Sequence, residues 1–441
     1  MKLSIRRFIK IPFVRDVATM QAGTFFITGG NFVASIILAR LLGPRAVGLY
    51  ALTFTIMGTV GILLDLGQNY SLITLLPAAY TQKNKESVRD SMSYFLSISL
   101  LWVLPVALLM IIATPWLINQ FYPEHEIALL VQTAFITLLF LPFHDFFRLI
   151  LQSTRRIKKL VAIDIIFDSL DMVLPLLMLI WQQTVFALVL GRVMAAFIKS
   201  AISFLLWKRY FNEDDLIASL STMLRYINLK SIAKGLNLGL WISADKHIYR
   251  IMNSIPTYLL GIYGSVTEIG KYKYLMSYLG IANLFSGNVN KLLNTVLPSI
   301  HAKNIDKFHS SFWKGSIGNG IISSAILIPL IILGNNGISF LYGNEFVVPY
   351  IVFPMLLVLA LDSLTVGFGT YYRIHNALHL AIISQIVSAA VGLLVWIMTN
   401  QSLPMFIAVI LYYVSYSLTS KVIHIINFWT INRTPECHHN R

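Results

Sequence analysis

The sequence contains about twelve stretches of roughly twenty mostly apolar residues, each long enough for a helix to cross the hydrocarbon core of a bilayer. Charged residues make up 12% of the 441 residues and hydrophobic residues 56%. A soluble protein carries about 25% charged residues, so this chain cannot cover a surface that faces water. The sequence therefore predicts an all-α, polytopic membrane protein. The stretches lie near 18–42, 46–70, 91–114, 127–148, 160–181, 184–207, 236–262, 273–298, 313–334, 349–372, 377–398 and 403–429.

Lysine and arginine are distributed unevenly between the predicted loops. They are frequent at the amino terminus and in every second connection, whereas the alternate connections hold only Arg40, Arg45, Lys271 and Lys273. Short cytoplasmic loops carry the excess of basic residues, so both termini are predicted to be cytoplasmic and the number of spans to be even. The basic set is Lys2, Arg6, Arg7, Lys10, Arg15, Lys83, Lys85, Arg89, Arg148, Arg155, Arg156, Lys158, Lys159, Lys208, Arg209, Arg225, Lys230, Lys234, Lys303, Lys307, Lys314, Arg373 and Arg433.

A faint internal repeat divides the chain into halves. Residues 47–50 read V-G-L-Y and residues 269–272 read I-G-K-Y, an offset of 222 positions. We therefore predict a six-helix lobe in 1–207, an interfacial amphipathic helix in 208–235 and a second six-helix lobe in 236–441. Two such lobes around a central cavity are a common transporter plan.

Three aspartates recur in one predicted span at helical spacing. Asp164, Asp168 and Asp171 share one helix face, and the next span carries Arg192 and Lys199. In an antiparallel hairpin, equal depth would place Asp171 beside Arg192 and Asp164 beside Lys199. Charges in a span are costly and usually face protein or water. These pairs either only hold two helices together, or one basic partner also projects into the cavity.

Further cations interrupt the apolar stretches of the second half. Lys246 and Arg250 lie four residues apart, beside Asp245, and Lys291 lies in the following stretch. Lys421 is interpreted as extending towards the headgroup layer. Since cations outnumber acids in these stretches, we predict a cationic cavity for an anionic ligand. Its predicted binding residues are Arg192, Lys199, Lys246, Arg250 and Lys291, and the predicted ion-coupling or structural carboxylates are Asp65, Asp145, Asp164, Asp168, Asp171 and Asp245.

Other motifs give no support to a metal site or an enzyme. Cys437 is the single cysteine, and His375 and His379 have no third ligand nearby in the sequence. The segment 264–271, G-S-V-T-E-I-G-K, departs from the phosphate-loop spacing and has no surrounding βαβ unit. The outer connections offer no platform of paired carboxylates for glycan chemistry. We expect no cofactor, no metal and no nucleic-acid partner.

Several short motifs resemble those of bacterial polysaccharide-biosynthesis flippases. They are L-A-R-L-L-G-P-R-A-V-G-L-Y at 38–50, L-L-D-L-G-Q-N at 63–69, I-S-A-D-K at 242–246, I-G-K-Y at 269–272 and F-L-Y-G-N-E-F at 340–346. The chain is similar to the O-antigen (Wzx-type) branch of the superfamily that includes multidrug extruders and lipid II flippases. Lipid II flippases usually have two further spans.

The resemblance implies a function in the cytoplasmic (inner) membrane of a bacterium. The substrate would be an oligosaccharide on undecaprenyl diphosphate, moved from the inner to the outer leaflet by alternating access. A polysaccharide polymerase and chain-length proteins are candidate partners, besides membrane lipids. Two alternatives stay open: a cation-coupled multidrug extruder of the same superfamily, and a membrane-embedded polysaccharide polymerase.

Overall fold

The computed structural model is helical, with no strand in the residues that it describes: 12–122, 125–211, 214–217, 229–283, 305–375 and 377–433, with single residues at 227, 289, 293, 297 and 300. A π-helical segment, Ser99–Val103, joins α3 to α4. The helices are α1 (Pro12–Leu64), α2 (Gln68–Thr81), α3 (Lys85–Ile98), α4 (Leu104–Phe121), α5 (His125–Phe135), α6 (Thr137–Ser153), α7 (Ile157–Trp181), α8 (Val185–Phe211), α9 (Leu229–Tyr263), α10 (Val266–Gly280), α11 (Ile305–Tyr342), α12 (Val352–Met355), α13 (Leu359–Leu364), α14 (Phe368–Ile374), α15 (Leu378–Thr399) and α16 (Met405–Arg433).

Eight helical runs in the described ranges are long and apolar enough to cross a membrane. Large apolar side chains cover their outer surfaces: Ile112 is 77% exposed, and Phe340 and Met398 are 78% exposed. Such a surface suits lipid rather than water, and the predicted all-α membrane class is confirmed. The eight runs are Gly23–Leu64, Lys85–Phe121, Glu126–Ser153, Val185–Phe211, Lys307–Tyr342, Val352–Ile374, Leu378–Thr399 and Met405–Ile431.

The chain divides into two compact units. Unit 1 comprises Met1–Leu42 and Thr53–Ala244, and unit 2 comprises Gly43–Leu52 and Asp245–Arg441. The predicted interfacial helix in 208–235 lies largely outside the described residues. Within this range, α8 continues to Phe211, residues 214–217 form a turn, and α9 begins at Leu229.

Each unit has its own aromatic core. In unit 1, the ring of Phe146 stacks on Phe95 and on Trp207, with ring centroids 5.1 and 5.4 Å apart. In unit 2, Phe312 stacks on Phe428 at 5.6 Å. Aromatic pairs at these distances add about 0.5–1.5 kcal/mol each beyond the area they bury. The rings hold helices together within each unit.

Two glycines of the repeat motif meet inside unit 2. A Cβ atom on Gly48 would lie 1.8 Å from the carbonyl oxygen of Val266, and one on Gly270 would lie 1.9 Å from that of Pro44. Gly48 and Gly270 are 222 positions apart, as are Pro44 and Val266. The two contacts are therefore equivalent. In each, the glycine of one motif approaches the residue four positions before the glycine of the other motif. Only glycine lets two backbones approach so closely.

The predicted span 46–70 is broken at Asp65. Helix α1 ends at Leu64, Gly67 adopts a left-handed φ of 78°, and α2 then begins. The carboxylate of Asp65 accepts a hydrogen bond from the Gly67 amide at 3.0 Å. Indole and hydroxyl donors of Trp102 and Tyr94 bond the carbonyls of Leu63 and Leu66, at 3.2 and 3.3 Å. These donors replace the helical hydrogen bonds that the break removes.

The segment that resembles a phosphate loop begins a helix. The hydroxyl of Ser265 accepts a hydrogen bond from the Glu268 amide at 3.2 Å, and the Glu268 carboxylate accepts one from the Ser265 amide at 2.9 Å. This reciprocal arrangement is a capping box, and it satisfies amides in the first turn of α10.

Helices α2 and α6 end in the same way, with a basic residue in a left-handed conformation. Lys83 has φ 55° and Arg155 has φ 56°. The amides of Lys83 and Asn84 bond the carbonyls of Tyr80 and Ala79, and Arg155 and Arg156 repeat this pattern at the end of α6. This is the Schellman motif, which usually has glycine at the left-handed position. A side chain there costs about 1–2 kcal/mol.

We expect Gly48→Ala and Gly270→Ala each to destabilise the protein, because the added methyl group overlaps a backbone carbonyl. Overpacking of this kind costs about 1–3 kcal/mol. Thermal unfolding of the purified protein in detergent should show a midpoint several degrees lower. Gly58→Ala and Gly61→Ala are matched controls, since a Cβ at either position has no atom within 4 Å. Equal midpoints for all four variants would contradict the close contact.

Candidate functional site

Helix α7 presents three aspartates to its neighbours inside unit 1. Asp164, Asp168 and Asp171 follow one another at helical spacing along this helix of 25 residues. Helices α6 and α8, which supply basic side chains, pack against it. Because a lone charge in hydrocarbon is costly, the position of each pair decides which charges are available to a ligand.

Arg148 of α6 neutralises the first aspartate. Its Nε lies 2.5 Å from Oδ1 of Asp164, and its Nη2 lies 3.2 Å from Oδ2. Two parallel hydrogen bonds make this a bidentate ion pair, the strongest geometry between arginine and a carboxylate. Arg148, which the loop count assigns to a cytoplasmic connection, instead lies within a helix and ties α6 to α7. Counting basic residues near helix ends did not reveal this role.

Asp171 faces two cations of α8. Lys199 Nζ lies 2.7 Å from Oδ2 of Asp171, and Arg192 Nη1 lies 3.6 Å from the same oxygen. The Lys199 side chain is 6% exposed, whereas that of Arg192 is 36% exposed and its guanidinium lies 5.8 Å from the ring centroid of Phe54. One carboxylate cannot neutralise both cations. Of the two cations, Arg192 is the more exposed and the more distant from the carboxylate.

Two further carboxylates, those of Asp168 and Asp145, lie in the middle of these helices. Within the part of the chain that the structure describes, Asp168 is half-buried and makes no ion pair. Asp145 Oδ1 lies 3.1 Å from Nδ1 of His144, whose ring packs on Phe167 at 4.9 Å. Four carboxylates thus accompany three cations here. Two cations beside one carboxylate occur only at Asp171 among these described groups.

The predicted hairpin pairing is half right. Asp171 lies beside Arg192 as predicted, but the predicted pair of Asp164 with Lys199 is wrong. Lys199 is nearer to Asp171, and Asp164 bonds Arg148. The equal-depth argument treats a hairpin as two isolated helices. It omits a third helix, α6, whose arginine has the better geometry.

Two predicted binding residues of unit 2 lie on one face of α9. Lys246 and Arg250 are both exposed and four positions apart, and Tyr249 between them is 56% exposed. Arg250 makes no ion pair with any described residue, and the hydroxyl of Ser254 bonds its carbonyl at 2.9 Å. Its charge is available to a ligand.

A second polar cluster joins α13, α14 and α16 within unit 2. Lys421 Nζ lies 3.2 Å from Oδ1 of Asp362, and the Ser417 hydroxyl donates to the same oxygen at 2.6 Å. One turn further along α16, the buried His424 lies with its Nδ1 2.8 Å from the Tyr372 hydroxyl. The interpretation that Lys421 extends to headgroups is therefore wrong, because an aspartate 59 positions earlier holds it within the bundle.

Three predicted residues remain: Asp65, Lys291 and Asp245. Asp65 stabilises the turn between α1 and α2. Lys291 lies outside the described residues, and so does the side chain of Asp245, although its backbone belongs to α9. In the described ranges no group of three or more His, Cys, Asp or Glu side chains could hold a metal ion.

Comparisons with known proteins agree with the sequence motifs. The family model described as "Polysaccharide biosynthesis protein" matches residues 13–300. Lipopolysaccharide biosynthesis protein WzxC of Escherichia coli strain K12 is 23% identical over 326 residues, covering 73% of this chain. The chain spans 61% of the length of that relative.

Solved transporter structures share the fold at low sequence identity. An inward-facing multidrug resistance MATE family transporter of the MOP superfamily matches with a TM-score of 0.66 at 13% identity, over 95% of this chain and 99% of the other. A MOP superfamily transporter from Pyrococcus furiosus, described as having a binding pocket of reverse polarity, matches with a TM-score of 0.65 at 14% identity, over 96% of each chain. This chain therefore has the MOP transporter fold.

We expect Asp171→Asn to reduce the yield of folded protein, because it leaves the buried Lys199 without its carboxylate. Removing one partner of a buried ion pair costs about 3–5 kcal/mol. Fluorescence-detected size-exclusion chromatography would measure the loss of the monodisperse peak. The double variant Asp171→Asn with Lys199→Met should recover the peak, since no unpaired charge is left at Lys199. Asp168→Asn, at a carboxylate without an ion pair in the described chain, is the control; a loss there equal to that of Asp171→Asn would contradict the assignment.

Proposed function

Because the chain belongs to the family of polysaccharide biosynthesis proteins, we propose that it is a flippase for lipid-linked oligosaccharides. The substrate is an oligosaccharide on undecaprenyl diphosphate, an O-antigen or related surface-polysaccharide unit. It moves from the inner to the outer leaflet of the bacterial cytoplasmic membrane by alternating access through a cationic cavity. Its partners in that pathway are the polymerase and chain-length proteins that use the exported unit.

The observation that carries this proposal is the shared carboxylate of Asp171. Lys199 occupies it at 2.7 Å and is buried, whereas Arg192 lies 3.6 Å away and is partly exposed. A partly exposed guanidinium suits a diphosphate, whose oxygens accept bidentate hydrogen bonds. Contact with the substrate is therefore assigned to Arg192. Lys199 is a positioning residue that fixes Asp171.

In unit 2 the proposal assigns contact with the anionic head to Lys246 and Arg250. Their exposure on one face of α9 and the absence of an ion pair at Arg250 in the described chain support this role. Lys291 keeps the same proposed role from its sequence position. The weaker candidates for cation or proton coupling are Asp65, Asp145 and Asp245.

The membrane potential favours export of such a substrate. With the inside negative, each negative charge moved outward gains about 2.3 kcal/mol per 100 mV. The protein then has mainly to lower the cost of removing water from the charged head. Cations that contact the diphosphate would do this, while the polyprenyl tail can remain in lipid.

A cation-coupled multidrug extruder is the second candidate. Four carboxylates accompany three cations in the middle of α6, α7 and α8, and the solved structures with this fold include multidrug transporters. An extruder of cationic drugs would use Asp168 or Asp145 as its binding or coupling group. Loss of Arg192 should spare such an activity and abolish flipping.

The third candidate is a polymerase. Its deletion would leave unpolymerised units on the outer leaflet.

Deletion of the gene should cause a single unpolymerised unit to accumulate on the cytoplasmic leaflet, because the lipid carrier that bears it no longer moves to the outer leaflet. Extraction identifies the lipid-linked intermediates, and a lectin-accessibility assay on intact and permeabilised spheroplasts shows which leaflet holds them. Unchanged surface glycan would contradict the proposed function. Intermediates on the outer leaflet would identify the polymerase.

In the complemented deletion strain, Arg192→Ala and Arg250→Ala should keep normal expression and lose at least tenfold in surface glycan. Arg192→Ala leaves Asp171 neutralised by Lys199, so the fold is retained. Lys158→Ala, an exposed lysine at the start of α7, is the matched control and should export normally. Normal glycan export in both arginine variants would reject their assigned role.

A further inference from the structure

A cleft of about 690 Å³ opens in unit 1 where α2 and α6 end. Pro77, Ala78 and Leu216 form its apolar side, and the two left-handed residues Lys83 and Arg155 line it together. On the orientation that the basic loops predict, these helix ends lie on the cytoplasmic side. The cleft therefore combines apolar lining with cations at the depth of lipid headgroups.

The two cations of the cleft have no acidic partner among the described residues. The nearby carboxylate of Asp214 is already engaged, since Arg156 Nη2 lies 2.6 Å from its Oδ2 and the Tyr80 hydroxyl donates to the same oxygen at 3.0 Å. The carboxyl-terminal ends of α2 and α6 each contribute about −0.5 charge. Two full positive charges exceed this, so the described lining of the cleft has a net positive charge.

A buried hydroxyl in the cleft also lacks a partner among the described residues. Ser153 is 5% exposed, and its Oγ makes no hydrogen bond to any of them. The neighbouring hydroxyls of Thr81 and Thr154 bond carbonyls of their own helices, those of Pro77 and Ile150 at 2.7 and 2.8 Å. A buried hydroxyl without a partner costs free energy. An acceptor group in the cleft would satisfy it.

The backbone adds a separate indication. Glycine would form both helix ends without strain, yet a lysine and an arginine stand at the two equivalent left-handed positions and line the same cleft. Strained positions of this kind are retained where the side chain has a use. The use that fits two cations and one hydroxyl donor is recognition of an anion that accepts several hydrogen bonds.

We propose that this cleft binds the phosphate group of an anionic phospholipid in the cytoplasmic leaflet. Lys83 and Arg155 pair with the phosphate, and the Ser153 hydroxyl donates a hydrogen bond to one of its oxygens. The parts of the acyl chains nearest to the glycerol contact Pro77, Ala78 and Leu216. This site is independent of the flippase proposal, because its residues do not include Arg192, Lys246 or Arg250.

The test compares lipids on the purified full-length protein in detergent. Phosphatidylglycerol should raise the thermal unfolding midpoint by several degrees more than phosphatidylcholine with the same acyl chains. The double variant Lys83→Gly with Arg155→Gly should lose at least two thirds of that difference. Because glycine relieves the left-handed strain, its midpoint without lipid should equal or exceed that of the wild type. Ser153→Ala should weaken lipid binding, so that the phosphatidylglycerol concentration giving half of the midpoint shift rises at least threefold.

Lys85→Gln with Lys158→Gln is the matched control, since it removes two exposed lysines near the cleft that do not line it. This variant should keep the full lipid effect. An equal loss in both double variants would overturn the site in favour of general charge attraction. Stabilisation by sodium phosphate alone, without any by phosphatidylglycerol, would overturn the lipid as its source. If the glycine variant does not fold, native mass spectrometry of the wild type decides: no preference for phosphatidylglycerol adducts over phosphatidylcholine adducts overturns the proposal.

Discussion

A charge inside hydrocarbon must be neutralised, and this constraint orders the helices of both units. Asp164 joins α7 to α6 through Arg148, and Asp171 joins α7 to α8 through Lys199. In unit 2, Asp362 holds Lys421 of α16 in the same way. Each pair stabilises the fold chiefly because breaking it would leave a buried charge.

The repeat shows a second constraint, the close approach of backbones. The motifs at 47–50 and 269–272 are too short to establish a duplication by sequence similarity. Their glycines nevertheless make reciprocal contacts, Gly48 with Val266 and Gly270 with Pro44. A duplicated element that packs against its own copy produces such symmetry, as in a two-fold interface. The glycines are therefore explained by packing, and neither needs a role in binding phosphate.

Hydropathy predicted much of the architecture, because lipid imposes a length on each membrane-spanning helix. Helical periodicity predicted the common face of Asp164, Asp168 and Asp171. Partner choice was not accessible in the same way. It depends on how three helices are rotated about their axes, which is why Arg148 was assigned to a loop and Lys199 to the wrong aspartate. The break at Asp65 is not predicted because apolar residues flank it on both sides, although Gly67 is a visible signal.

The number of charges alone does not decide between an anionic and a cationic cargo. In the middle of α6, α7 and α8 the carboxylates outnumber the cations, which by total charge would favour a drug extruder. Position argues the other way locally, since Lys199 contacts Asp171 from a buried position and Arg192 beside it is partly exposed. A ligand meets the more exposed group first. The exposure of Arg192, rather than the total charge of the helices, is thus the feature on which the proposal of a phosphorylated substrate rests.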